Sequence, residues 1–481
     1  MNVLGSNLKF GTSGIRGLAS EFTSKSLEMI CSAYKEMLIK RNYWTKISNK
    51  IVICHDLRES SPLILEKLVS SLSSLNFEVL LGGHNPTPAM ANFLINENLS
   101  GIMISGSHIP ADRNGLKFYG PWGEFSKFDE QELISHLKNR TESHLSESQL
   151  LPAKILDISH DISSQFKNRY IHFLDSLATN KEPRFFSNFK ISIYEHSSCC
   201  SKLLGEILTT FGASVHYFGK TNFFYPLDTE NIENVPGLSE EILSFNPTLI
   251  VSTDADGDRP LILDETGKQI EGDIIGIITA KFLNPKKICT TIHCNESIKL
   301  NFNNSEISYT KIGSPYIVEE MKHQEKQHNF VVGFEPNGGF LVGKNLMGLT
   351  PLCTRDSFLP ILVCLMAFHK SQQKNFSSFT KKYQISLKKS YVLSPFESIN
   401  WENLKKRTLD TISKKNHWID KISTINELDG LRIVGKNKNI FHIRPSGNAP
   451  ELRIYLESRS NDLCNFDHQE ILQFIKSLIP K

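Results

Sequence analysis

Short apolar segments alternate with helix-like segments through the first three quarters of the chain. An apolar run at 50–56 (KIVICHD) precedes a helical pattern from Ser61 to Leu75, and a further apolar run follows at 100–106. The same cycle begins again near 188–196 and near 286–294. Strands that alternate with helices are typical of a parallel sheet covered by helices. The pattern therefore predicts three successive α/β units.

After about residue 385 the pattern changes to one with a period of two. Runs at 429–437, 439–447 and 452–458 alternate apolar and polar residues between turn residues, and a helical pattern follows at 468–478. Such alternation is typical of antiparallel strands with one buried face. We therefore expect a small antiparallel sheet with a closing helix.

Polar stretches at 140–152 and 369–383 mark two of the boundaries between these units. A chain of 481 residues also fits three or four domains of about 100–200 residues each. The predicted fold class is α/β, with three related α/β domains and a smaller C-terminal α+β domain. The predicted domains are 1–152, 153–268, 269–385 and 386–481.

Charge and composition argue against several classes of protein. Lys and Arg number 54 against 51 Asp and Glu, so the formal charge of +3 gives no overall field for nucleic acid or an anionic membrane. The longest apolar run, Phe358–Phe368, contains Pro360 and is shorter than the roughly 20 residues that span a bilayer, so it predicts a buried helix. The start lacks the regions of a signal peptide, and the nine cysteines lack CxxC spacing. We expect a cytoplasmic protein with reduced thiols.

Four segments carry residues suited to chemistry. The first, 104–120, places Ser107 and His108 beside Gly106 after an apolar strand. A serine that exchanges a phosphoryl group must be exposed and approachable from opposite sides, and a glycine-containing loop allows that approach. The alternative is an ordinary turn, because these residue types dominate turns.

The second segment, 253–260 (TDADGDRP), holds three carboxylates at alternate positions, Asp254, Asp256 and Asp258. Three oxygen donors in one short loop suit Mg²⁺ or Ca²⁺. An EF-hand is disfavoured, because Arg259 stands where that loop needs Gly and the flanks have strand patterns. A solvated acidic turn is the remaining alternative.

The third and fourth segments suit a sugar and a phosphate. In 333–340 (GFEPNGGF), the Glu335 carboxylate and the Asn337 amide can hold two vicinal hydroxyls, although the segment by itself is only a turn. In 443–453 (IRPSGNAPELR), backbone N–H groups and forked guanidinium groups can bind phosphate. The candidate donors there are Arg444, Ser446, Gly447, Asn448 and Arg453.

Together with FGTSGIRG at 10–17, these segments resemble the α-D-phosphohexomutase superfamily across the whole chain. The resemblance implies four domains around a central cleft, with one loop from each meeting there. It implies an intramolecular phosphotransferase of the isomerase class that carries its phosphoryl group on Ser107. It also implies one Mg²⁺ per chain and a hexose 1,6-bisphosphate as activator.

The resemblance assigns a role to each candidate residue. Asp254, Asp256, Asp258 and an oxygen of the phosphorylated Ser107 would bind Mg²⁺. The positive charges that flank the transferring phosphate would come from Arg16, Lys117 and Arg259. Sugar hydroxyls would contact Glu335 and Asn337. The other phosphate would contact Arg444, Ser446, Gly447, Asn448 and Arg453, while Thr87 and Pro88 match a family motif to which we assign a structural role.

This chain departs from the commoner family pattern in three loops. Ile109 separates His108 and Pro110 where Asn is usual, and the fourth loop reads SGNAP where SGTEP is frequent. Asn337 and Gly339 stand where many relatives have Ser and His. Because that His is missing, we assign the acid/base role to His108 or Lys117. These variants look most like a bacterial subgroup labelled phosphomannomutase.

The expected function is therefore interconversion of mannose 1-phosphate and mannose 6-phosphate, with activity on glucose phosphates as well. Three alternatives stay open: a phosphoglucosamine mutase or phosphoglucomutase of the same superfamily, a phosphatase, and a non-catalytic sugar-phosphate-binding protein. The expected partner is a hexose phosphate, without nucleic acid or membrane. We expect a monomer or a small homo-oligomer.

Overall fold

A computed structural model describes most of the chain. The described residues are 8–11, 13–44, 49–138, 154–177, 185–230, 232, 238, 240–344, 349–384, 386–393, 400–414, 419–446 and 451–459. The predicted closing helix at 468–478, Gly447 and Asn448 lie outside them.

The first unit is a sheet of eight strands with the order β1-β2-β6-β5-β3-β4-β8, and β7 pairs with β6. The strands are β1 (Lys9–Phe10), β2 (Ile15–Leu18), β3 (Lys50–His55), β4 (Glu78–Gly83), β5 (Ser100–Ile104), β6 (Arg113–Gly120), β7 (Gly123–Glu124) and β8 (Ile155–Asp157). The helices are α1 (Ser24–Lys40), α2 (Ser61–Ser74), α3 (Thr87–Glu97) and α4 (Lys127–Lys138). Strand β8 follows the predicted boundary at 152 and still joins this sheet.

The second and third units are sheets of four strands, with the orders β10-β9-β11-β12 and β14-β13-β15-β16. The second contains α5 (Ser159–Leu177), β9 (Lys190–His196), α6 (Ser201–Thr210), β10 (Ser214–Lys220), α7 (Glu240–Ser244), β11 (Leu249–Thr253) and β12 (Pro260–Leu263). The third contains α8 (Gly272–Leu283), β13 (Lys287–Thr291), α9 (Ile298–Asn301), β14 (Ile307–Thr310), α10 (Ser314–Gln324), β15 (Val331–Phe334), β16 (Phe340–Val342), α11 (Phe358–Ser371) and α12 (Phe376–Lys381).

These three sheets repeat one arrangement. A central strand is flanked by two parallel neighbours, and a fourth strand runs antiparallel to the third: β3, β4, β5 and β6 match β9, β10, β11 and β12, and also β13, β14, β15 and β16. The alternation of strands and helices predicted parallel sheets, but each sheet also contains an antiparallel strand. A short loop joins the third and fourth strands, and such a loop can only reverse the chain direction.

The fourth unit is an antiparallel sheet, as predicted, and it has five strands in the order β17-β21-β20-β19-β18, two more than the three alternating runs indicated. Its elements are β17 (Leu387–Leu393), α13 (Trp401–Lys414), β18 (Ile422–Asn426), β19 (Leu431–Gly435), β20 (Ile440–Pro445) and β21 (Leu452–Ser458). Buried apolar residues of this unit, among them Tyr391, Ile433 and Leu456, form a separate hydrophobic cluster.

The first three units share one hydrophobic core. Val52, Ile193 and Ile288 come from three different sheets and belong to the same buried cluster. The apolar run Phe358–Phe368 forms most of α11, which packs against α8, so the predicted buried helix is confirmed. None of the helices in the described part of the chain is long and apolar enough to cross a membrane.

One buried guanidinium organises the connection from β5 to β6. Arg58 has 1% of its surface exposed. Its Nε donates to Asp56 Oδ2 at 3.2 Å, and Asp56 also accepts hydrogen bonds from Ser61 and Ser105. The Nη atoms of Arg58 donate to four backbone carbonyl oxygens at 2.7–2.9 Å, those of Ser107, Ile109, Pro110 and Arg113. Both terminal nitrogens of one guanidinium thus hold this connection, while its Nε is paired with Asp56.

We expect Arg58→Met to lower the free energy of unfolding by about 3–5 kcal/mol, because Asp56 and four carbonyl groups lose a buried donor. Urea denaturation measures the loss, and faster hydrogen exchange at 105–113 would localise it. Lys167→Met is the control, because Lys167 and its partner Glu206 are 33% and 44% exposed and such a pair contributes under about 1 kcal/mol. Equal small losses in both variants would contradict this role of Arg58.

Candidate active site

Three of the four candidate loops occupy the same position in their sheets. We call them the serine loop (105–112, between β5 and β6), the aspartate loop (254–259, between β11 and β12) and the glutamate loop (335–339, between β15 and β16). Each follows the carboxyl end of a strand that runs parallel to the central strand of its sheet, which is where open α/β sheets place their binding groups. Side-chain contacts join all three loops.

Ser107 connects the serine loop to the aspartate loop. Its Oγ donates a hydrogen bond to Asp254 Oδ2 at 2.5 Å, and His108 Nδ1 lies 3.3 Å from Ser107 Oγ. The backbone of Ser107 has φ of 56°, a left-handed conformation that costs a non-glycine residue about 1–3 kcal/mol. Its side chain is fully buried, in contrast to the exposed serine expected from the sequence, because the aspartate loop covers it.

The three carboxylates of the aspartate loop form one buried cluster. Their oxygens approach within 4.8 Å of one another, and Asp254, Asp256 and Asp258 are at most 1% exposed. Asp256 Oδ1 and Asp258 Oδ1 are buried without a hydrogen-bond partner. Burial, together with repulsion by Asp258 and Asp256, raises the pKa of Asp254 to about 8. A divalent cation fits this cluster, because it would satisfy both oxygens and relieve the repulsion.

The flanks of the cluster are the strands β11 and β12. An EF-hand needs two helices there. The aspartate loop is therefore neither an EF-hand nor a solvated acidic turn, since its carboxylates are buried.

Cationic side chains surround the cluster. Lys117 Nζ lies 2.5 Å from Asp256 Oδ2 and 2.8 Å from Asp258 Oδ2. Burial alone would lower the pKa of Lys117, but attraction to Asp256 and Asp258 outweighs it and raises that pKa above its ordinary range. Arg259 Nε lies 3.7 Å from Asp258 Oδ1, and its Nη1 lies 3.7 Å from Glu230 Oε1. Lys117 and Arg259 therefore remain charged at neutral pH.

Arg16 and His108 belong to the same electrostatic environment. Burial and the neighbouring Arg259 lower the pKa of Arg16 to about 10, and Arg16 Nε is buried without a partner. Desolvation, with Arg259 and Arg16 nearby, holds the pKa of His108 well below its ordinary value. The His108 ring is therefore neutral at pH 7 and has a nitrogen beside the Ser107 hydroxyl.

The glutamate loop reaches the aspartate loop through a residue that the sequence analysis missed. Arg355 Nη1 donates to Glu335 Oε2 and Arg355 Nη2 donates to Asp258 Oδ2, both at 2.6 Å. Asn337 turns partly inward, because its Oδ1 accepts the Gly339 amide at 2.9 Å and its Nδ2 lies 3.4 Å from Glu335 Oε2. An arginine directly before an apolar helix was the only signal in the sequence.

Thr87, at the start of α3, also contacts the aspartate cluster. Its Oγ1 donates to Asp256 Oδ2 at 2.5 Å, and its amide donates to the Asp256 carbonyl oxygen at 2.8 Å. Thr87 therefore has its structural role at the site itself, where it helps to hold Asp256.

Of the fourth candidate loop, the structure describes residues 443–446 and 451–453. Arg444 and Arg453 are directly opposite each other on β20 and β21, and Arg444 Nε donates to Asp429 Oδ1 at 3.2 Å. The Ser446 amide donates to the Glu451 carbonyl oxygen at 2.8 Å. Within the described residues, no hydrogen bond or ion pair joins Arg444 or Arg453 to the other three loops.

Comparison with known families finds three matching domain models. Phosphoglucomutase/phosphomannomutase α/β/α domain I matches residues 7–144, α/β/α domain III matches 271–384, and the C-terminal domain matches 400–465. Two solved structures have the same fold over 98% of this chain, each with a TM-score of 0.73: a phosphoglucomutase/phosphomannomutase family protein from Burkholderia thailandensis (16% identical, 97% of that chain) and a putative phosphomannomutase from Thermus thermophilus (18% identical, 99% of that chain).

Curated relatives cover nearly the whole chain. A phosphomannomutase of Salmonella muenchen is 34% identical over 98% of this chain and 96% of its own length. A phosphomannomutase of Sinorhizobium fredii is also 34% identical, over 94% and 96%. A phosphoglucosamine mutase of Nitratiruptor is 25% identical over 97% and 98%. The chain therefore belongs to the α-D-phosphohexomutase superfamily, whose members are isomerases.

Proposed function

We propose that this protein interconverts the 1- and 6-phosphates of a hexose through a phosphorylated Ser107, with mannose as the first candidate sugar. The observation that carries the proposal is the Ser107 hydroxyl, 2.5 Å from Asp254 in a buried cluster of three carboxylates. The relatives at 34% identity support mannose. Phosphoglucosamine mutases at 24–26% identity also cover nearly the whole chain, so glucosamine phosphate is the second candidate.

Phosphoryl transfer depends chiefly on in-line positioning and on neutralising charge. The bond between phosphorus and Ser107 Oγ breaks as a sugar hydroxyl oxygen bonds to the phosphorus. Asp254, Asp256, Asp258 and an oxygen of the phosphorylated serine would hold one Mg²⁺, which would neutralise charge on the phosphoryl group. Lys117 and Arg259 keep permanent positive charge at the same place.

Geometry favours His108 over Lys117 as the group that moves the proton. The Lys117 ammonium has no acceptor and is already held by two carboxylates. His108 Nδ1 lies 3.3 Å from Ser107 Oγ. It can accept the proton of the sugar hydroxyl and return it to the serine oxygen, which balances the step.

The hexose 1,6-bisphosphate formed in the first transfer must turn end for end before its other phosphate reaches Ser107. Arg16 would help to hold the reacting phosphate, and Arg444, Ser446, Gly447, Asn448 and Arg453 would hold the other one. Glu335 and Asn337 would contact O3 and O4, which take similar positions in both orientations of the ring. The same bisphosphate, supplied from outside, would phosphorylate Ser107 and so activate the enzyme.

The test is ³¹P NMR of the protein with Mg²⁺, a trace of hexose 1,6-bisphosphate, and mannose, glucose or glucosamine 1-phosphate in parallel tubes. Conversion to the 6-phosphate supports the mutase, and the relative rates rank the sugars. Release of inorganic phosphate alone would favour a phosphatase. No change in any tube would favour a non-catalytic sugar-phosphate-binding protein.

Ser107→Ala is expected to remove nearly all turnover, because covalent transfer needs that oxygen. An enzyme-coupled assay that detects the 6-phosphate measures turnover, and circular dichroism checks that the variant is folded. Ser164→Ala, on α5 and outside the site, should keep full activity. Activity of Ser107→Ala within a few fold of the parent would rule out Ser107 as the phosphate carrier.

Asp256→Asn is expected to weaken Mg²⁺ binding and slow transfer, because it removes one of three buried anionic ligands. Titration of activity with Mg²⁺ and calorimetry of Mg²⁺ binding both measure the effect. Asp161→Asn, at the exposed start of α5, is the control. Unchanged magnesium dependence of Asp256→Asn would refute the proposed metal site.

Contacts to O3 and O4 do not distinguish mannose from glucose, which differ at C2. We therefore expect kcat/KM for mannose 1-phosphate and glucose 1-phosphate to agree within about a thousandfold, or about 4 kcal/mol of transition-state binding. Initial rates with each sugar measure the ratio. A larger ratio would mean that the site contacts C2 directly.

A further inference from the structure

Arg355 links the aspartate loop to the glutamate loop. It lies just before α11 in the third unit, with 3% of its side chain exposed. One arm of its guanidinium binds Asp258 and the other binds Glu335, each at 2.6 Å. Two carboxylates from different units thus share one rigid fork, whose geometry fixes their separation.

The fork occupies one oxygen of each carboxylate and leaves the other. Glu335 Oε2 takes the bonds from Arg355 and Asn337, and none of the described residues donates to Glu335 Oε1. Asp258 Oδ2 accepts hydrogen bonds from Arg355 and Lys117, whereas Asp258 Oδ1 is buried without a hydrogen-bond partner, 3.7 Å from Arg259 Nε. Each carboxylate is therefore held in place with one oxygen still available to a ligand.

The backbone that carries Arg355 is anchored on both sides. Thr354 Oγ1 donates to Glu124 Oε2 at 2.7 Å in the first unit, and Ser357 Oγ donates to the Gly257 carbonyl oxygen at 2.7 Å in the aspartate loop. Asp356 pairs with Phe340 of β16 and accepts a hydrogen bond from Tyr170 of α5. The position of the guanidinium is set by contacts with all three of the first units.

Gly339 makes room for this side chain. A Cβ atom at position 339 would lie 2.6 Å from Arg355 Cδ and 3.0 Å from the Asp258 carbonyl oxygen. The φ angle of Gly339 is outside the left-handed range, so the requirement for glycine comes from space and not from backbone conformation. Arg355 and Gly339 therefore form a matched pair.

We propose that Arg355 is a positioning residue that orients Glu335 toward the hydroxyl groups of the hexose while it holds Asp258 in the metal-binding cluster. This inference rests on the proposed function. It adds a specificity determinant that acts on the sugar hydroxyls and not on the phosphate. The chemical group that it serves is a pair of vicinal hydroxyls of a hexose phosphate.

The test measures ligand binding by calorimetry, with glucose 1-phosphate, its 3-deoxy and 4-deoxy analogues, and inorganic phosphate. Arg355→Ala should raise the Kd of glucose 1-phosphate about tenfold or more, the scale of a charge-assisted hydrogen bond. The deoxy analogues should bind the variant nearly as well as glucose 1-phosphate does, because the oriented carboxylate is lost. Binding of inorganic phosphate should not change, and neither should any affinity in the control Arg169→Ala.

Gly339→Ala gives a second route that leaves every charge in place. Its methyl group should displace the Arg355 side chain and weaken binding of glucose 1-phosphate by a similar factor. In the Arg355→Ala background the same substitution should add little, so the two effects should not multiply. The inference would be overturned if the two substitutions multiplied their effects on the Kd of glucose 1-phosphate. It would also be overturned if the deoxy analogues bound the Arg355→Ala variant more weakly than glucose 1-phosphate does, by the same factor as in the parent.

The parent protein separates this inference from the proposed function. If the parent converts hexose phosphates while the Arg355 variants bind all ligands as the parent does, only the inference fails. If the parent neither binds nor converts any hexose phosphate, the proposed function fails and the inference falls with it.

Discussion

The structure of this site depends on compensating the negative charge of a buried cluster of three carboxyl groups, Asp254, Asp256 and Asp258, whose mutual repulsion already raises the pKa of Asp254. Three carboxylates without solvent would be strongly unfavourable unless paired or ligated. The pairing comes from other parts of the chain: Lys117 from the first unit and Arg355 from the third, each within 2.8 Å of a carboxylate oxygen. The ion pairs therefore join the first three units at the aspartate cluster. Asp256 Oδ1 and Asp258 Oδ1 still lack a hydrogen-bond donor and could bind a cation.

The repeated sheet arrangement explains why this convergence is possible. In each of the first three units the functional loop connects the third strand to an antiparallel fourth strand. One shared hydrophobic core fixes the three sheets relative to one another. The loops can therefore be held by a few hydrogen bonds, and a strained residue such as Ser107 can be maintained by the rigid Arg58 network behind it.

The fourth unit is attached differently. It has its own hydrophobic cluster, and hydrogen bonds and ion pairs join it to the third unit. Lys388 lies 3.4 Å from Asp273, Arg432 lies 2.7 Å from Glu296, and Asp429 accepts the Ile312 amide at 2.8 Å. Asp429 also binds Arg444, so the same carboxylate joins the third unit to a proposed phosphate-binding arginine. The arginines proposed to bind the second phosphate thus belong to a unit with its own hydrophobic cluster, separate from the core that the first three units share.

The sequence by itself determined the elements and the local motifs. Periodicity is a local property, so it predicted the alternating strands and helices, the antiparallel last sheet and the buried helix at 358–368. The aspartate and serine loops were recognisable because their groups are close together in the chain. The roles of Arg58 and Arg355 were not recognisable, because each donates hydrogen bonds to residues about 20 to 100 positions away in the chain, including Ser107 and Asp258. Only the tertiary structure decided which isolated charges face the buried carboxylates, since that depends on how separate sheets pack around a common core.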